Sequence, residues 1–129
     1  MLSLFFEPRH RVLMVRLTGL FSSEDIDIHD RVVLSFVARA GAVRAIYDMS
    51  GVETVAVPAS KAIQRGQAPA IIETRVVVMP PAESADFVRI MREQQRLAGH
   101  REAIPVATLE EAYLALDMTD PHFEPVEAG

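Results

Sequence analysis

VRAIYDMSGVETVAVPAS, residues Val43 to Ser60, is the stretch on which the fold turns. Val43 to Asp48 is an apolar run with the β-branched and aromatic character of a buried strand. Asp48-Met49-Ser50-Gly51-Val52 then reads as a short polar turn at the strand's carboxyl end. In open α/β sheets that edge is where ligands and partners bind. Met49 to Val57 reads as an unusually hydrophobic connection, and Pro58 opens a short helix running to about Arg65.

Upstream, Leu2–Glu7 and Arg11–Thr18 (RVLMVRLT) read as a β-hairpin. The second strand is apolar on both faces except at Arg16, as expected of a central strand, and Gly19 breaks it. Ser22 or Ser23 caps a helix with Glu24 and Asp25 in its first turn, where the dipole favours carboxylates. Ile26, Val32, Val33, Phe36 and Val37 form its apolar stripe, and Gly41 stops it.

Downstream, Gly66 and Pro69 end the second helix. Thr74–Met79 is a β-branched strand closed by Pro80-Pro81. Ala82–Ala98 is helical, with Phe87, Val88, Met91 and Leu97 on its buried side. Ala103–Ala107 makes a last strand. Thr108 and Glu111 have the spacing of a capping box for a helix that buries Leu109, Ala112, Tyr113 and Leu116. The order β-β-α-β-α-β-α-β-α predicts an α/β domain: one mixed, mostly parallel five-stranded sheet with four helices. It spans residues 1–118. An acidic, proline-containing tail, 119–129, follows in extended form, pinned to the surface by Phe123.

Composition narrows the function. A chain of 129 residues, half of them apolar, builds a single core. The net charge of −5 argues against sequence-independent binding to nucleic acid, and the absence of cysteine removes disulfides, thiolate metal sites and a thiol nucleophile. No segment reads as a transmembrane helix, and MLSLFFEPRHR lacks the pattern of a signal peptide, so a cytoplasmic location is expected.

The order of elements resembles the STAS domain, the fold of bacterial anti-sigma-factor antagonists and of sulfate-transporter tails. Asp48-Met49-Ser50-Gly51-Val52 is similar to the Asp-Leu-Ser-x-Val stretch of that family. The resemblance implies a protein-interaction module with a phosphoacceptor serine at the start of the second helix. Here that position falls on Pro58, which has no hydroxyl, and Ser60 reaches it only with a two-residue insertion. A closer analogy is the small STAS-like proteins grouped with lipid-binding Sec14-type domains.

Asp48 and Ser50 read either as a polar pair that binds a partner or as turn residues bonded to nearby amides. With Gly51, Val52, Val55 and Val57 they outline a docking connection, unless those valines fold inward as core cover. Ser60 is a first-turn serine able to accept a phosphate. Arg89, Arg92 and Arg96 share one helix face, as an anion or partner stripe or as an ordinary solvated face paired with the acidic tail. The four histidines, 10, 29, 100 and 122, lack metal-ligand spacing, and neither a Gly-x-Ser-x-Gly turn nor a phosphate-binding glycine loop is present. No cofactor is implied. Two functions follow: a non-enzymatic module docking on a protein partner or on a second copy as a homodimer, or a carrier of a small apolar ligand or lipid in a cavity near the same connection. An enzyme is the least supported class.

Overall fold

The computed structural model describes residues 1–127. Six strands form one sheet: β1 (Leu2–Glu7), β2 (Val12–Ser22), β3 (Arg44–Ala56), β4 (Arg75–Val78), β5 (Ile104–Val106) and β6 (Glu124–Val126), in the order β5-β4-β3-β2-β1-β6. The pairs from β2 through β5 are parallel, whereas β1 pairs antiparallel with both β2 and β6. The helices are α1 (Ser23–Ala40), α2 (Ala59–Gln67), α3 (Asp86–Leu97) and α4 (Leu109–Ala115), with a 3-10 turn at Ala82–Ser84. The α/β class stands. The sheet has six strands rather than five, because Glu124–Val126 of the expected tail joins the edge beside β1. The last two residues of that tail lie outside the described residues.

The decisive correction concerns Met49 to Val57. That stretch is the second half of a long strand, not a connection. It stays paired with β2, Thr18 opposite Gly51 and Phe21 opposite Val55, across two register shifts. Between Arg16 and Thr18, and again between Gly19 and Leu20, β3 carries one residue more than β2. Each such bulge reverses the alternation of faces. Met49, Val52 and Val55, three residues apart, consequently all face the same core. Gly19, expected to end β2, lies inside it at φ +68°, and Gly51 sits where an added Cβ would meet the Thr18 side chain at 3.0 Å.

The sheet separates two cores. On one face, Leu13, Val15, Leu17, Ala45, Met49, Val52 and Val77 meet Ile26, Val33 and Phe36 of α1 and Phe87 and Val88 of α3. On the other, Val12, Met14, Ile46, Val76 and Val78 meet Ala112 and Leu116 beside α4. The expected capping box of Thr108 with Glu111 forms, and the expected cap at Ser22 is itself a capping box, closed by Asp25. Phe123 stacks on Tyr113 with ring centroids 6.1 Å apart, which fastens the chain before β6. Leu97, expected on the buried side of α3, is 68% exposed, and buried Gln95 takes that side, accepting at 2.9 Å from the Ala103 amide.

Pro58 is the residue before α2 rather than its first, and Gly66 does not end that helix. A Cβ at Gly66 would lie 2.5 Å from both Gln94 Cβ and the Met91 carbonyl oxygen. This glycine sets how closely α2 and α3 approach. Gly66→Ala should therefore lower stability by about 1–3 kcal/mol through overpacking, overriding the helix preference for alanine. Equilibrium denaturation checks it, and a stabilised variant would contradict the close contact.

Glu7, 2% exposed, holds the hairpin to the chain before β6. It accepts from His10 N at 2.6 Å, His10 Nδ1 at 2.8 Å and His122 N at 3.4 Å. Thr119 N donates to His10 Nε2 at 3.3 Å, which assigns the His10 proton to Nδ1. Burial raises the Glu7 pKa, but the bonds from His10 and His122 outweigh it and hold the carboxyl below its ordinary 4.5. Its contribution is thus complete above that ordinary value and is lost as pH falls through the lowered folded one. Glu7→Gln should cost about 1–3 kcal/mol at pH 7 and flatten the acid limb of stability against pH. Denaturation midpoints between pH 7 and 3 measure both effects.

Candidate functional site: a cavity between the sheet and helices α1 and α3

Tyr47, the fourth residue of β3, is polar-tipped and faces the core under α1 and α3, one step from Asp48, which faces the other. Above it, His29 occupies the α1 stripe between Ile26 and Val33, at spacings of three and four. Their rings lie 5.4 Å apart, and the Tyr47 hydroxyl is 2.7 Å from His29 Nε2. His29 Nδ1 is 2.9 Å from Asp30 Oδ1, and Arg65 Nη1 of α2 donates to Asp30 Oδ2 at 2.8 Å. Three elements are thereby joined by one polar chain.

The proton positions follow from the partners. Burial raises the Asp30 pKa, but the His29 bond and the Arg65 charge more than offset it, so Asp30 stays ionised and only accepts. His29 Nδ1 then carries a hydrogen, and with a neutral imidazole ring its Nε2 accepts from the Tyr47 hydroxyl. Tyr47 is half-buried. Burial pushes its pKa up to about 12, against the opposing charges of Arg75 and Arg65.

Beneath this chain lies a cavity of about 80 Å³, partly open to solvent. Leu17, Phe21, Met49, Val77, Phe87 and Met91 supply apolar wall, and Phe21 meets Phe87 edge-to-face at 5.0 Å. Its polar lining comes from Asp25, His29, Tyr47, Arg65 and Arg75. The Asp25 carboxylate is engaged by the Ser22 amide and hydroxyl and lies 3.9 Å from the terminal amine of Met1. Arg75 donates through Nη2 to the Arg101 carbonyl at 3.0 Å, but its buried Nε has no protein acceptor among the described residues.

The residues singled out from sequence lie elsewhere. Asp48 is buried, accepting from Arg16 Nε at 3.1 Å, from Ser50 N at 3.1 Å and from Ser50 Oγ at 2.6 Å. Arg16 covers the Phe5 ring, with its Cζ 5.2 Å from the centroid. Asp48 and Ser50 therefore organise the first bulge, as the turn alternative had it. Val52 is 1% exposed, Val55 and Val57 are partly buried against the same core, and Gly51 is the close contact at the bulge. Ser60 is exposed in the first turn of α2. Arg89 pairs with Asp86 at 3.0 Å, and Arg92 donates to the Ala103 carbonyl at 2.8 Å. Arg96 is exposed further along α3, and the β6 end of the chain lies at the opposite sheet edge from β5. Among the described residues no cluster of three or more metal-ligating His, Asp or Glu occurs.

His29 and Tyr47 belong to no motif, and they lie eighteen residues apart in the sequence. A histidine on an apolar stripe and a tyrosine inside a buried strand each demand a polar partner. The two demands together were the available signal.

Alkaline titration tests the enclosure. The chain has two tyrosines and no tryptophan, so phenolate absorbance reports on them directly. One tyrosine should titrate near 12, and stability should decline once pH passes the ordinary value of 10.0, because the fold favours neutral Tyr47. His29→Ala should leave the phenol buried while removing its acceptor. Comparison with protein-family models, with curated proteins and with solved structures finds no match, so the geometry of this cavity is what bears on function.

Proposed function

We propose that this domain binds a small amphipathic molecule in the cavity between β3, β4 and helices α1 and α3. The observation that carries the reading is the lining: a mostly hydrocarbon wall with a few polar groups set into it. That combination is the usual make-up of a small-molecule site. The inward packing of Val52, Val55 and Val57 weighs against docking through this stretch, since it leaves little apolar surface for a partner.

Binding is favoured over catalysis. Tyr47, His29, Asp30 and Arg65 spend their hydrogen-bonding capacity on one another, and burial keeps the phenol neutral, hence a weak nucleophile, at neutral pH. A kinship with STAS-like, Sec14-grouped proteins accords with this reading, and the order of elements supports it.

The test is a titration with 1-hexanol followed by amide NMR. Shifts should gather on Leu17, Tyr47, Met49 and Val77. Val77→Leu places extra volume at the cavity wall and should weaken binding several-fold while the circular-dichroism spectrum is unchanged. Shifts that are absent, or that fall on another surface, would overturn the proposal.

A further inference from the structure

Among the described residues, one charged group at the cavity has no charged partner. Arg65 is neutralised by Asp30 at 2.8 Å, and Asp25 is engaged by its capping box and the terminal amine. Arg75 makes no ion pair among the described residues, although it lines the cavity and its Nε is buried without a protein acceptor. A desolvated guanidinium N–H strongly favours an anionic oxygen as its partner. An unpaired guanidinium calls for a negative charge. The remaining wall, from Leu17, Phe21, Val77 and Phe87, calls for hydrocarbon.

We infer that the ligand is a monocarboxylic acid, its carboxylate accepting from the Arg75 guanidinium and its alkyl part lying against Leu17, Phe21, Val77 and Phe87. This inference rests on the binding function proposed above and specifies its chemistry. An apolar cavity of about 150 Å³ suffices for benzene, so one of about 80 Å³ takes only a few carbon atoms. A longer chain projects through the open side. A phosphate dianion fits less well, because it brings twice the charge and no hydrocarbon.

The experiment compares hexanoate with 1-hexanol on the full chain at pH 7, by calorimetry and amide NMR. Hexanoate should bind at least ten-fold more tightly. Arg75→Met should erase that difference while retaining hexanol binding, and Arg75→Lys, which keeps the charge but lacks the planar guanidinium fork, should keep it only in part. If the methionine variant does not fold, the wild-type comparison and the lysine variant still decide. Equal affinities for acid and alcohol in the wild type would overturn the carboxylate assignment and leave the cavity's binding role standing. Failure of both to bind would overturn the two together. Extending the acid from butanoate to dodecanoate separates the sources: affinity that peaks early marks a small free acid, and affinity that keeps rising marks a lipid-derived one. Either trend, with the acid ahead of its alcohol, supports the assignment.

Discussion

The parallel pairing of β2 with β3 is the constraint from which the rest of the molecule follows. It runs from Val12 opposite Arg44 to Ser22 opposite Ala56 and survives two bulges. A bulge-free strand would send Met49, Val52 and Val55 to alternating faces, leaving apolar side chains in water or polar ones in the core. The two extra residues repair that mismatch. Ahead of both bulges, Tyr47 pairs with Val15 and meets His29 of α1. The cavity sits where the helices bridge this extended pair.

Fold class was legible because it rests on strong local signals. The capping residues Ser22 and Thr108, the stop at Gly41 and the β-branched run Val76–Val78 are each settled within a few residues, and the alternation of strand and helix does the rest. The bulges were not legible. Asp48-Met49-Ser50-Gly51-Val52 carries turn chemistry, and Asp48 does bond to the Ser50 amide, but it does so inside a paired strand. Local propensity was read correctly there and was overruled by the ladder with β2. Gly66 shows the same limit in a helix. Its missing side chain is explained by α3, which sequence spacing alone does not bring alongside.

The site was less legible than the fold, for a related reason. Tyr47, His29, Asp30, Arg65 and Arg75 come from β3, α1, α2 and β4, and only the packing of sheet against helices brings them together. Asp48 drew attention because it lies beside a turn-like motif. Its neighbour Tyr47, on the opposite side of the same strand, is the residue that reaches the cavity.

The two ends of the sheet share a design. β5 and β6 are three residues each, and each has a proline at its centre, Pro105 and Pro125. The Val106 carbonyl accepts from Met79 N, so Val106 is turned toward β4 and Pro105 is turned outward, offering an incoming strand no amide hydrogen. A row of backbone donors is what lets sheets zip together between molecules. With Pro105 turned outward, the β5 edge lacks the central donor that an added ribbon would need.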